Sequence, residues 1–257
     1  MTEAYYRQVS ENVFEPTAQV EGAWSDQEQH MAPVGGLVTQ ALDTHQPRPE
    51  LQLARVNFEI LGRLRRAPTE LAVAVVRPGR TIELLQAVAR IEGREVIRAN
   101  AWRLLRGDTS AVAATDDPPL PAPDEFPVWD STALWPGGYI NSLLIRRDPA
   151  SRAGRGRCWV RSDSQLLADG STTPTAHFVR LVDTANGVAT RVPPSEWLFP
   201  NTDLTVHLYR NPVGDWVGFD TSVNFGPSGV GLTSSILHDE QGPVGRAEQI
   251  LTVRPRG

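Results

Sequence analysis

The final predicted strand carries one primary amide among apolar neighbours. In the stretch GPVGRAEQILTV (242–253), Gln249 shares a face with Ala247, Leu251 and Val253, whereas the residues between them are mostly polar. Alternation with a period of two is typical of a strand that buries one face. A buried amide without partners costs about 1–3 kcal/mol. Gln249 is therefore predicted either to be hydrogen-bonded within the fold or to act on a molecule that enters from outside.

The other reactive residue types exclude several mechanisms. All 25 positively charged residues are arginines, so a Schiff-base lysine, a phosphate-loop lysine and a pyridoxal phosphate anchor are excluded. The single cysteine, Cys158, lies in a strand-like run and is interpreted as a buried structural thiol. The five histidines show no metal-ligand spacing, and His177 is interpreted as a structural or pocket residue. We expect neither a metal nor a cofactor.

Two segments of the chain repeat one order of elements, a helix followed by antiparallel strands. In the first half, a helix is predicted at 31–45 and strands at 51–61, 69–79, 81–93 and 94–105. In the second half, a helix is predicted at 177–188 and strands at 202–210, 216–229, 230–242 and 242–253. Additional strands are predicted at 14–24, 139–147 and 156–164.

An alignment of the two halves supports a tandem duplication. With one residue inserted, Gly93 pairs with Gly242 and Ala99 with Ala247. The Pro-rich linker 107–137 separates a first unit at 1–106 from a second unit at 138–257. We predict an α+β fold of two tandem units. Each unit is a long helix wrapped by a curved antiparallel sheet, and the two sheets join into one.

The order of these elements and their local sequences resemble a known family over nearly the whole chain. The second half matches through LVDTANGV, FPNTDLTVHLYRNPVGDWVGFDT and GPSGVGLTSSILHDEQGPVGRAEQILTVRPR, and the first through APVGGLVTQAL, VNFEILGRL and VVRPGRTIELLQAVARIEGREVIRANA. The chain resembles the acyl-CoA thioesterases of the double hotdog type, in the thioesterase II-like group. The resemblance implies a double hotdog fold and hydrolysis of an acyl-CoA thioester.

The resemblance also implies a catalytic set. Carried over by position, it comprises Asp183, Gln249 and either Thr202 or its neighbour Asn201. Thioester hydrolysis needs a positioned water, a base for its proton and donors for the oxyanion. Asp183 would accept the proton or orient the water, with Gln249 and a hydroxyl or amide beside it. The family-derived proposal places these polar groups in the second half.

The first half differs at the corresponding positions. Thr39 and Gln40 lie near the helix position of Asp183, and Ala101 or Asn100 replaces the strand amide. The first half therefore has no carboxylate at this place. We interpret it as a wall of the site.

Groups that would bind the substrate are expected at helix starts and in arginine clusters. Gly35 and Gly36 are predicted to open the first helix, where backbone N–H groups would hold the thioester oxygen. Coenzyme A is polyanionic, so binding to an acidic protein needs a local arginine cluster. The segments RLRRAP (63–68) and SRAGRGR (151–157) are the two candidates.

Two other functions remain open from the sequence. One is a hotdog enoyl-CoA hydratase, although the chain lacks a Gly-Asp-x-Asn-Pro-x-His type run. The other is a non-catalytic protein that binds acyl-CoA or an acyl carrier.

Composition limits the location and the partners. The 257 residues carry a net charge of −5, which argues against broad nucleic-acid binding. Neither a transmembrane run nor a secretory signal is evident, and one cysteine cannot form an internal disulfide. We expect a cytoplasmic protein without a membrane partner, assembled as a homodimer of double hotdogs.

Overall fold

The computed structural model describes residues 3–257. The α-helices in this range are α1 (Met31–Thr44), α2 (Gly138–Asn141), α3 (Pro174–Val179) and α4 (Ala185–Val188). Turns of 3-10 helix lie at Ala18–Val20, Ser110–Val112, Pro123–Glu125 and Val182–Thr184. None of these described helices is long and apolar enough to cross a membrane.

The strands account for most of the regular structure. The first half contains β1 (Ala4–Ser10), β2 (Val13–Pro16), β3 (Leu51–Ile60), β4 (Thr69–Arg77), β5 (Ile82–Ile91) and β6 (Arg94–Leu105). The second half contains β7 (Leu143–Arg147), β8 (Arg155–Ser162), β9 (Gln165–Leu167), β10 (Trp197–Leu198), β11 (Asp203–Leu208), β12 (Val217–Phe225), β13 (Val230–Asp239), β14 (Gly242–Thr252) and β15 (Arg254–Pro255).

Strands of both halves form one sheet. Across residues 3–257 it has thirteen strands in the order β7-β8-β12-β13-β14-β11-β3-β6-β5-β4-β2-β1-β9. The halves meet where β3 and β11 pair antiparallel, with Val56 opposite Val206. Neighbouring strands are antiparallel except β1 and β9, which pair in parallel. The predicted α+β fold with a joined antiparallel sheet is confirmed, apart from this short parallel pair.

The two halves match in register without the inserted residue of the sequence alignment. In each half, a two-residue turn precedes the last long strand, β6 or β14. The third residue of each strand, Val96 or Val244, is a bulge that has no paired residue opposite it. With this register Ala101 and Gln249 are both the eighth residue of their strands. The pairing of Gly93 with Gly242 is therefore wrong by one position.

The second helix is not the continuous segment predicted at 177–188. It starts earlier, at Pro174, and consists of α3, a 3-10 turn and α4. The break falls at Arg180 and Leu181, and Leu181 has a φ of −113°. At this point the chain crosses α1 so closely that a Cβ on Gly36 would lie 2.4 Å from the Cβ of Arg180.

The strand predicted at 14–24 is also largely wrong. Only β2 lies there, and a 3-10 turn follows because the Thr17 hydroxyl caps it by accepting a hydrogen bond from the backbone N–H of Gln19. The first strand is β1 instead, whose Tyr5 and Tyr6 are fully buried. Two adjacent buried residues break the period of two that predicts a strand.

The core lies between the sheet and α1. Apolar residues of the helix, such as Leu37 and Leu42, are fully buried together with Phe58 and Ile97 from the strands. Cys158 is also fully buried, and burial raises the pKa of its thiol to about 12. The interpretation of Cys158 as a structural thiol is thus supported by its surroundings.

Candidate active site

Three of the sequence-predicted polar residues meet around one carboxylate. The Oδ1 atom of Asp183 accepts a hydrogen bond from Nε2 of Gln249 at 2.8 Å and another from Nδ2 of Asn201 at 2.8 Å. Asp183 comes from the 3-10 turn between α3 and α4, and Gln249 from β14. Gln249 is 1% exposed, which confirms that this amide lies on a buried face.

The structure leaves Thr202 out of this cluster. Its side chain is exposed, while its backbone N–H donates to the carbonyl of Ile250 and its carbonyl accepts from the N–H of Ile60. Asn201, one residue earlier, faces the carboxylate instead. Of the two alternatives left open by the sequence, only Asn201 contacts Asp183.

The turn before β11 fixes the orientation of Asn201. Its Nδ2 atom also donates to the backbone carbonyl of Asp203 at 2.9 Å, and its backbone bridges to Leu251 of β14. The carboxylate of Asp203 accepts from the N–H of Ile250 at 2.6 Å. These bonds hold the turn against the strand that carries Gln249, so both amides approach Asp183 from one side.

The surroundings of Asp183 disfavour its ionised form. The side chain is 6% exposed, and burial raises the pKa of its carboxyl to about 7, although the hydrogen bonds from Asn201 and Gln249 act in the opposite direction. Its ionised form is therefore less favoured at neutral pH than that of a solvated carboxyl. A carboxyl with this pKa is suited to accept a proton and return it during a reaction.

His30 is a site residue that the sequence reasoning did not identify. It is the N-cap of α1, where its Nδ1 atom accepts a hydrogen bond from the N–H of Ala32 at 3.1 Å. Nδ1 also lies 3.6 Å from Oδ2 of Asp183. The ring stacks on Tyr139 with centroids 4.2 Å apart. Burial lowers the pKa of this imidazole to about 3.

Gly35 and Gly36 do not open the first helix. Helix α1 begins at Met31, because Pro33 is compatible with a first helical turn and His30 caps it. Both glycines are therefore buried in the helix interior, and neither lines the cavity next to Asp183. The prediction that they open the helix is wrong, so their position does not support the expected contact with a thioester oxygen, and Gly36 contributes instead to the close helix packing described above.

A cavity of about 690 Å³ opens onto the cluster. Asp183, Asn201 and His30 lie in its wall, together with apolar side chains of both halves. Trp129 and Trp135 of the Pro-rich segment 107–137 also line it. This segment thus forms one side of the cavity.

Arginines at the cavity come from one predicted cluster and from the C-terminal segment. Arg63 of the 63–68 cluster lines the cavity, and so do Arg254 and Arg256. The 151–157 cluster contributes no residue to this wall, and its Arg155 pairs with Asp220 at 2.6 Å. In the described part of the chain, no group of His, Cys, Asp and Glu side chains is arranged to hold a metal ion.

Comparison with known protein families gives the identity of the fold and its chemistry. The acyl-CoA thioesterase N-terminal domain matches residues 20–104, and the acyl-CoA thioesterase C-terminal domain matches residues 114–253. The chain belongs to the acyl-CoA thioesterase family and is a thioester hydrolase.

Solved structures share the fold over almost the full chain. A protein with a hot dog fold from Alicyclobacillus acidocaldarius is 14% identical, with a TM-score of 0.77 and coverage of 97% of this chain and 96% of that one. Acyl-CoA thioesterase II from Mycobacterium marinum is 17% identical, with a TM-score of 0.67 and coverage of 98% and 96%. The tesB protein of Mycobacterium avium subspecies paratuberculosis is 17% identical, with a TM-score of 0.66 and coverage of 97% and 96%.

These structures confirm the predicted hotdog architecture. No curated protein matches the chain.

Proposed function

We propose that this protein hydrolyses acyl-CoA to the free acid and coenzyme A with a water activated by Asp183. The observation that carries the proposal is the asymmetry of this carboxylate. Its Oδ1 atom is held by Asn201 and Gln249, whereas its Oδ2 atom has no hydrogen-bond donor among the described residues and belongs to a side chain in the cavity wall. Two fixed amide donors orient the group without neutralising it.

The reaction requires one proton to move twice. Water held at Oδ2 attacks the thioester carbon, so a carbon–oxygen bond forms while Asp183 takes the proton. The carbon–sulfur bond then breaks as the carbonyl re-forms, and the protonated carboxyl returns its proton to the departing thiolate. The amides of Gln249 and Asn201 keep the carboxylate in place through both steps. The Oε1 atom of Gln249 is buried and has no partner among the described residues.

Charge at the cavity supports coenzyme A as the carrier of the acyl group. Arg63, Arg254 and Arg256 line the same cavity as Asp183, although the whole chain is acidic. The acidic neighbour of Arg63 is Glu28, at 3.8 Å, and the Arg63 side chain is 82% exposed. Local positive charge of this kind favours a polyanionic substrate.

The direct experiment is release of free thiol from a panel of acyl-CoAs of increasing chain length. We expect saturable release from at least one member, and the preferred length defines the acyl part of the cavity. A protein that binds an acyl-CoA but releases no thiol from any of them would instead be the non-catalytic binding protein.

One observation supports a second candidate reaction. The imidazole of His30 lies 3.6 Å from the carboxyl of Asp183, and a histidine beside a carboxyl is an arrangement that could also add water to an enoyl thioester. With a 2-enoyl-CoA as substrate, hydration removes the enoyl absorbance without releasing thiol, whereas hydrolysis releases thiol. We expect thiol release.

A further inference from the structure

The hydrogen bonds of His30 define where its proton lies. A backbone N–H can only donate, so the bond from Ala32 requires Nδ1 of His30 to be an acceptor without a proton. The neutral ring therefore carries its proton on Nε2. The N-terminus of α1 also disfavours an imidazolium at this position, because the helix dipole is positive there.

The Nε2–H group is free to act on a bound molecule. It has no acceptor among residues 3–257. Because Nε2 is also not a buried atom, it is open to the cavity that His30 lines. The ring is also fixed in place. It stacks on Tyr139, whose hydroxyl is held by Thr184 Oγ1 at 2.7 Å.

We propose that His30 is a catalytic residue that donates Nε2–H to the carbonyl oxygen of the bound thioester and stabilises the oxyanion. This inference rests on the proposed hydrolysis. One ring nitrogen lies 3.6 Å from the oxygen that would hold the attacking water, and the other lies one carbon further along the ring. A carbonyl carbon attacked from Oδ2 of Asp183 therefore has its oxygen within reach of Nε2.

The neutral state of His30 suits this function. An imidazolium beside Asp183 would give its proton to the carboxylate and remove the base. Because burial holds the pKa of His30 far below neutrality, the ring keeps one proton on Nε2 while Asp183 titrates. Neutral imidazoles at helix N-termini are known to act as electrophiles in this manner.

Two substitutions separate this function from helix capping. In His30→Asn the amide oxygen replaces Nδ1 and still caps α1, since Asn is a favourable N-cap residue, but the distant donor is lost. In His30→Gln the longer side chain places an amide N–H near the former Nε2, but the cap is weakened. If His30 only caps the helix, His30→Asn should be the more active variant. If His30 stabilises the oxyanion, His30→Gln should be the more active variant.

The measurement is kcat and KM for thiol release by the folded variants. We expect kcat of His30→Asn to fall by about 10²–10³-fold, the typical loss for one oxyanion donor, with little change in KM. His30→Gln should recover part of this loss. The inference is overturned if His30→Asn keeps a wild-type kcat, or if the kcat of His30→Asn is higher than that of His30→Gln.

The two proposals can fail separately. If wild-type hydrolysis depends on Asp183 while His30→Asn remains fully active, only the assignment of His30 is wrong. If Asp183→Asn keeps full activity but the kcat of His30→Gln is still higher than that of His30→Asn, the assignment of His30 as oxyanion donor is supported and the base lies elsewhere. If the wild type releases no thiol, both proposals are wrong.

Discussion

The two halves of the molecule each place a helix N-terminus against a polar side chain of the other helix. At the start of α1, His30 faces Asp183. At the start of α3, the corresponding contact is made by Gln40 of α1. Its Nε2 donates to the carbonyl of Ser171 at 2.8 Å, and its Oε1 accepts from the N–H of Thr173 at 2.8 Å.

The two contacts differ in what they leave unpaired. Both polar atoms of the Gln40 amide are bonded to backbone, and Gln40 does not line the cavity. In the other contact, residues 3–257 provide no donor to Oδ2 of Asp183 and no partner to the buried Oε1 of Gln249. The strand position of Gln249 is occupied by Ala101 in the first half.

The comparison indicates how a duplicated fold yields a single candidate site. One helix terminus is closed by a neutral amide and stabilises the interface between the halves. The other keeps a desolvated carboxyl and an orphan amide oxygen, both of which cost folding free energy. Unpaired buried polar groups of this kind are expected at functional sites more than elsewhere.

We call the contact of His30 with Asp183 the open contact and that of Gln40 with the start of α3 the closed contact. Replacing Asp183, the charged residue of the open contact, should have the largest effect on kcat. Asp183→Asn keeps the size of the side chain but removes the base, so kcat should fall by about 10²–10⁴-fold. The matched control is Gln40→Ala in the closed contact, which should lower the free energy of unfolding by about 1–2 kcal/mol and leave kcat nearly unchanged. Equal losses of kcat in both variants would contradict the division between an open and a closed contact.

A smaller effect is expected for the neighbours Asn201 and Thr202. Asn201→Ala removes one of two hydrogen bonds to the ionised carboxylate, each typically worth about 1.5–3 kcal/mol, so kcat should fall by about 10–100-fold. Thr202→Ala alters an exposed side chain and should stay within about twofold of wild type. Thiol-release kinetics on both variants distinguish them, and the reverse order would restore Thr202 as the third polar group.

The smallest effect concerns the crossing of the two helices. A methyl group on Gly36 would lie 2.4 Å from Cβ and 2.9 Å from Cα of Arg180, so Gly36→Ala should lower the free energy of unfolding by about 1–3 kcal/mol. The nearest atom to a methyl group on Gly35 is 3.7 Å away. Gly35→Ala should therefore be neutral or stabilise α1 by up to about 1 kcal/mol. Denaturant unfolding of both variants tests this, and equal stability would contradict the close crossing.

The strand pattern was predictable because strands that bury one face alternate in polarity. The same alternation identified Gln249 as an unusual buried amide. The position of Asp183 came from the family resemblance, since its own segment, LVDTANGV, is polar enough to suggest an exposed face. Burial of that segment depends on the neighbouring helix and on Trp135, whose indole N–H donates to the carbonyl of Gly187 at 3.1 Å.

The open alternative and the error have local physical reasons. Thr202 and Asn201 remained alternatives because they are adjacent, and a shift of one residue exchanges the side chain that faces the site. Gly35 and Gly36 suggested a helix start, but the close contact with Arg180 explains a glycine at position 36.

His30 was missed because histidine is not among the preferred N-cap residues. Its partner Asp183 is also distant in sequence. A polar residue directly before the first apolar helical residue was the available signal.

The central claim is that a buried Asp183 acts as the base, and the pH dependence of kcat/KM tests it most directly. Only the ionised carboxylate can take a proton, and burial raises its pKa to about 7, so the rate should rise with pH below about 7 and level off above it. His30→Asn should keep this acidic limb, because Asp183 carries it. A profile that is flat between about pH 5 and 8, or a limb that disappears in His30→Asn, would contradict the account.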